Sequence, residues 1–164
     1  WSRVPETWVH GDWGEGDDAG FWYIRGRSDD TLKVAGKRIG PAEVESAAVG
    51  SGLVQEAAAI GIPHDIKGES AVIICLLRPE AGMVPNVEQT IRDAVGRQLG
   101  AALRPERVHV VTELPRTRNA KIMRRIIRAA YLGLPTGDTT ALENPAAVDT
   151  IARLGLATRE QRNG

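Results

Sequence analysis

Cysteine occurs once in these 164 residues, at position 75. No disulfide can form within the chain, and such sparing use fits a reducing compartment. Histidine occurs three times, at 10, 64 and 109, and none stands at metal-ligand spacing from another His, Cys or Asp. The clearest apolar run, Ala71–Leu77 (AVIICLL), is seven residues long, against the roughly 20 needed to span a bilayer. No apolar leader follows Trp1, and no Met initiates the chain. The expectation is a soluble, cytoplasmic piece of a longer protein. Net charge is zero, so no global field points to nucleic acid or membrane. The spacings GxxxxGK[ST], GxGxxG and GxSxG are missing, and Cys75 within an apolar strand is a poor nucleophile.

Aromatics are scarce at 4%, yet four of the seven are Trp and all four fall within the first 22 residues. That clustering suggests that the start of the chain packs against a surface outside these residues. Charge is also uneven. Residues 1–30 hold seven acids against three Arg, whereas residues 104–128 hold eight bases against two Glu. The second block can attract phosphate locally.

Periodicity predicts the elements. GFWYIR at 20–25 suits a strand, and with DDTLKV it predicts a hairpin. A helix is expected from Pro41, with Glu43 and Glu45 in its first turn, Val44, Ala47 and Ala48 on one face, and Gly50 or Gly52 at its end. Strands follow at 54–62, ended by Pro63, and at 70–78, where the unbroken apolar run implies burial on both faces. Asn86 with Gln89 reads as a capping box for a helix to about Leu99. RVHVVTEL (107–114) reads as a strand and KIMRRIIRAAYLG as a helix with Arg124, Arg125 and Arg128 facing out. Beyond Pro135 the sequence predicts a turn-rich arm, one possible helix in PAAVDTIARLGL and a frayed end. The fold class is α+β: a small mixed β-sheet covered by helices and preceded by a β-hairpin.

Three stretches could carry chemistry. Asp12 lies in a turn before the first strand, and a carboxylate there can accept hydrogen bonds from vicinal ribose hydroxyls; it reads equally as a turn former. Arg27, 15 residues on, can supply a guanidinium fork to a phosphate or the same sugar, or be a plain surface residue. Lys33, Lys37 and Arg38 with Gly36 and Gly40 enter a helix start, which suits an anion or is an ordinary entry loop. Asp29–Asp30 suit a hinge or a plain turn. In LPRTRNAKIMRR, a single Lys121 stands among arginines, in a chain with 17 Arg and four Lys. A compact ammonium can sit between two anionic oxygens from different molecules where a planar guanidinium fits poorly. The same stretch reads otherwise as a solvated basic face.

Taken together, HGDWGEGDDAGFWYIRGRSDDTLKVAGKRIGPAEVESA, GIPHDIKGE and LPRTRNAKIMRRIIR resemble the C-terminal domain of the adenylate-forming acyl-CoA synthetases, on the acetyl-CoA synthetase side. The resemblance spans about residues 8–150. It implies that residues 1–29 end an N-terminal domain and carry the hinge, that 30–133 form the C-terminal domain, and that 134–164 are a tail. It implies ATP and CoA as co-substrates, Mg2+ carried with ATP rather than by this domain, and a small carboxylate as acyl donor. The N-terminal domain of the same enzyme is the implied partner. Residue by residue, it implies that Lys121 bridges the ATP α-phosphate and the carboxylate, Asp12 and Arg27 hold the ribose, Arg38 reaches phosphate, and Asp29 is the hinge. Gly36 lines the pantetheine path, and Arg97 stands beside Gly96, where that branch has a base for the CoA 3′-phosphate. Ala120 replaces the family's Gly before the lysine. The chain alone is expected to be inactive. The competing reading is a basic module whose helix at 116–128 grips nucleic acid or an acidic protein. Its lack of an aromatic before Tyr131 gives base stacking little support.

Overall fold

The computed structural model describes residues 11–27 and 30–163. Asp29, the residue expected to be a hinge, lies outside the described residues, as do His10, Trp1 and Trp8.

Two hairpins open the structure. Strand β1 (Asp12–Gly16) pairs antiparallel with β2 (Trp22–Arg27). Asp17 builds the turn between them: its carboxylate accepts the amides of Ala19 (3.0 Å) and Phe21 (2.9 Å) and the Tyr23 hydroxyl (2.9 Å). The Phe21 amide and then the Tyr23 hydroxyl hold that carboxyl below its ordinary pKa. Strand β3 (Leu32–Val34) pairs antiparallel with β4 (Lys37–Ile39). The expected pairing of 20–25 with 29–34 is therefore corrected, since each strand pairs with its nearer neighbour. Ala35 (φ 49°) and Gly36 (φ 78°) form the two-residue loop of the second hairpin. Left-handed dihedrals at both positions match the right-handed twist of the strands.

Helix α1 (Pro41–Val49) starts at Pro41 as expected, and buries Val44, Ala47 and Ala48. Strands β5 (Val54–His64) and β6 (Gly68–Leu77) form the long antiparallel pair, and β7 (Arg107–Val110) lies parallel to β6. The sheet order is β4-β3-β6-β5, with β7 also on β6. Pro63 does not end β5 but pairs with Glu69. Because β5 is the outer strand, the missing proline N–H breaks no ladder bond. The strand expected over 107–114 is shorter, ending at Val110.

The sheet is covered on both faces. Ala57, Ala59, Ile73 and Cys75 point toward α1 and α2 (Val87–Leu99), whereas Ala58, Ile60, Val72 and Ile74 point the other way. The second face packs against α3 (Arg124–Leu132) and α4 (Ala146–Asn163). That is why the β6 run is apolar without alternation. The capping box is not formed. Asn86 is left-handed (φ 51°) and its side chain caps nothing, while Gln89 donates to Asp93 at 3.0 Å. The expected frayed end is corrected too: α4 continues through 163 and buries Ile151 in the second core, a burial that contributes about 1.5–3 kcal/mol. A Cβ on Gly155 would collide with the Tyr131 carbonyl, so a glycine lets α4 lie directly on α3.

Candidate functional site

The Lys121 turn is built from its buried base upward. Leu114 is fully buried and Pro115 nearly so. Arg116 then bridges antiparallel to Ile122, and the Arg116 guanidinium donates to Glu56 on β5 at 2.5 Å. Thr117 N–H donates to the Lys121 carbonyl (3.0 Å), and Ala120 N–H to the Thr117 carbonyl (2.8 Å). This tight loop places Ala120 at φ 58°, a left-handed value that alanine adopts at a cost and glycine does not. Lys121 itself is exposed, and among the described residues nothing engages its ammonium. It lines a cavity of about 500 Å³ with Thr117, Arg118, Asn119, Thr140 and Ala141.

The helix expected to begin beside Lys121 starts instead at Arg124. The Met123 amide turns back to the Pro115 carbonyl at 3.0 Å, closing the loop as a hairpin. Arg124 and Arg128 do not form a solvated face, contrary to the sequence reading. Arg124 donates through Nε and a terminal nitrogen to the two oxygens of Glu45, at 2.6 Å each. Those bonds hold the guanidinium above its ordinary pKa. Arg128 donates to the Gly61 carbonyl at 2.7 Å and pairs with Glu69 at 3.5 Å. Much of the basic block is thus neutralised inside the fold, which leaves less charge for a polyanion.

Asp12 is not in a turn as expected but on β1, where it is the direct cross-strand partner of Arg27 on β2. Arg38 is exposed on β4, opposite Lys33. It lines a cavity of about 580 Å³ that also touches Glu15 and Ile24 of the first hairpin. Gly36 is exposed at the β3–β4 loop and Arg97 on the last turn of α2. Beside Arg97, Gly96 is covered by the stem of Arg104, whose guanidinium is bound to Asp93 at 2.7 and 2.9 Å. The described residues therefore bring Asp12 to Arg27, and Arg38 near that hairpin. Lys121 lines a different cavity from Arg38.

The remaining titratable candidates are structural. Burial pushes the Cys75 thiol up to about 12. His64 Nδ1 accepts the amides of Ile66 (3.1 Å) and Lys67 (3.3 Å) in the β5–β6 turn. Burial, and then the charge of Arg107, lower the His109 pKa. The Tyr131 hydroxyl donates to Thr158 at 3.1 Å, so the His109 Nε2–H must donate to Tyr131 across 2.9 Å. Among the described residues no cluster of three or more His, Cys, Asp or Glu could hold a metal, and no helix is long and apolar enough to cross a membrane.

Sequence reasoning missed that Glu56 on β5 and Asn144, just before α4, hold the base of the Lys121 turn, and that Glu45 on α1 holds the first residue of α3 behind it. Their partners are 28 to 79 residues away, so no local spacing could have signalled them.

Residues 43–121 match the AMP-binding enzyme C-terminal domain. The chain is 46% identical over 151 residues to the acetyl-coenzyme A synthetase of Methanothrix thermoacetophila, a stretch covering 92% of this chain and 23% of that protein. It is 41% identical over 152 residues to the 3-hydroxypropionyl-coenzyme A synthetase of Sulfurisphaera tokodaii, covering 93% and 23%. The solved structure of ATP-bound MatB from Rhodopseudomonas palustris superposes with a TM-score of 0.65 at 28% identity, over 75% of this chain and 24% of that one. The chain belongs to the C-terminal domains of the adenylate-forming, AMP-binding enzymes, on the acetyl-CoA synthetase side of that family. It spans less than a quarter of the length of the curated relatives it matches.

Proposed function

We propose that the chain is the mobile C-terminal domain of an acyl-CoA synthetase that activates a small carboxylate with ATP and passes the acyl group to CoA. In the first half-reaction a carboxylate oxygen attacks the α-phosphorus and pyrophosphate leaves. In the second, the CoA thiolate attacks the acyl carbonyl and AMP leaves. The observation that carries this reading is the Lys121 ammonium, exposed and unengaged on a tight turn. Delivered between carboxylate and α-phosphate, it offsets the repulsion of two anions and the charge of the transition state.

The other roles follow the same reading. Asp12 accepts from the ribose hydroxyls, with Arg27 opposite it on β2, and Arg38 reaches nucleotide phosphate. Asp29 is the hinge about which residues 30–133 rotate against an N-terminal domain. Gly36, at the tip of its hairpin, lets the pantetheine arm pass, and Arg97 lies toward the CoA phosphate. Mg2+ arrives with ATP. Exposed Trp22 and Ile24 on β2, with exposed Phe21 just before it, give the first hairpin apolar surface for the N-terminal domain to cover. The relatives act on different acyl groups, so the carboxylate is proposed only as small. The N-terminal domain holds the rest of the site, so the 164-residue chain alone is inactive.

The test is Lys121→Met in the full-length enzyme. Carboxylate-dependent ATP–pyrophosphate exchange should fall about 100-fold or more, while thioester formation from preformed acyl-adenylate stays near wild type. Undiminished exchange would overturn the assignment. Turnover by the isolated chain with ATP, acetate and CoA would overturn the claim that it is incomplete.

A further inference from the structure

Residues 138–145 run beside the Lys121 turn and are bonded to it through Leu142, Glu143 and Asn144. Thr117 bridges antiparallel to Leu142. Glu143 N–H donates to the Arg116 carbonyl at 2.9 Å. The Asn144 side chain uses both ends: its Oδ1 accepts the Arg116 amide (3.0 Å), and its Nδ2 donates to Glu113 Oε2 (2.8 Å) and to the Leu114 carbonyl (3.0 Å). One amide thus ties Glu113, Leu114 and Arg116 at the base of the turn. The segment is itself prefolded. Asp138 Oδ1 accepts the amide (2.9 Å) and hydroxyl (2.7 Å) of Thr140, and Leu142 N–H donates to the Thr139 carbonyl (3.0 Å). Leu142 is buried, and Asn144 and Pro145 lead into α4, which begins at Ala146 and is seated on α3.

We propose that 138–145 is a strap that sets the position of Lys121, with Asn144 as its clasp and a positioning residue for adenylation. The physical need is plain. Arg116–Ile122 is a single bridge, and a hairpin that short is marginal by itself. A third segment on its outer edge, pinned at a helix start, converts the turn into a rigid support. A displacement of about 1 Å at the tip would cost up to about 100-fold in a reaction that depends on near-attack geometry. The strap also supplies Thr140 and Ala141 to the wall of the cavity that Lys121 lines.

This inference rests on the adenylation role proposed for Lys121. The test is Asn144→Ala in the full-length enzyme, with Lys121→Met beside it. Asn144→Ala is expected to lower ATP–pyrophosphate exchange about 10- to 100-fold, with thioester formation from preformed acyl-adenylate within about twofold of wild type. Hydrogen exchange should show lost protection at the Thr117 and Ala120 amides. Unchanged exchange activity, or an equal loss in both half-reactions, would overturn the strap, because a general folding defect slows both. So would retained protection of those two amides. If Lys121→Met abolishes exchange and Asn144→Ala does not lower it, only the strap fails. If Lys121→Met leaves exchange intact, the adenylation reading fails and the strap's part in it fails too.

Discussion

Arg124 of α3 grips Glu45 of α1 with two hydrogen bonds of 2.6 Å, past the outer strand β5 and between helices on opposite faces of the sheet. The Glu45 carboxylate is nearly buried and also accepts the Ala59 amide at 2.9 Å. This pair couples the helix after the second hairpin to the helix that follows Lys121.

Removing one partner strands the other. Arg124→Met should leave a buried carboxylate with only one amide donor and destabilise the domain by about 2–4 kcal/mol. Glu45→Gln keeps an acceptor for Ala59 and should cost less. Urea midpoints of both variants check the order.

Ala120 stands in a left-handed conformation. Ala120→Gly should relieve about 1 kcal/mol of strain, partly offset by the greater chain freedom of glycine. The expected result is a small rise in thermal midpoint. A fall would show that the turn tolerates alanine without strain.

Gly155 has no room for a side chain against the Tyr131 carbonyl. Gly155→Ala should push α4 off α3 and cost about 2–4 kcal/mol despite alanine's better helix propensity. A thermal melt monitored at the helix band of circular dichroism would report it.

His109 is held neutral by burial, with its folded pKa below the ordinary value. The unfolded state therefore binds the extra proton first. Stability from this group is complete above the ordinary histidine range and declines as pH falls through it. His109→Gln should flatten the change in urea midpoint between about pH 7 and pH 5. An identical slope in both proteins would remove the effect.

Much of the fold was legible because its signals are local. The Pro41 start of α1, the apolar β6 run and the residues flanking Lys121 are all statements about neighbours in sequence. The readings that failed did so for two reasons: a competing local geometry in one case and distant partners in the other. Asn86 with Gln89 satisfies a capping pattern, yet Asn86 is left-handed and Gln89 turns to Asp93. Arg124 and Arg128 look solvated by helical spacing, but carboxylates on α1 and β6 reach them.

By itself the sequence determined where α1 starts, that both faces of the central strand β6 are buried, and that a single lysine stands among arginines in the stretch before α3. Those follow from side-chain periodicity and backbone preference, which act over a few residues. Only the tertiary structure decided that half of the eight bases in 104–128 are ion-paired within the fold, that the tail helix runs on to 163 and packs on α3, and that Asn144 bonds the base of the Lys121 turn. Each of those rests on a polar contact or a helix packing between segments far apart in the chain, and such contacts exist only once the sheet has brought the segments together.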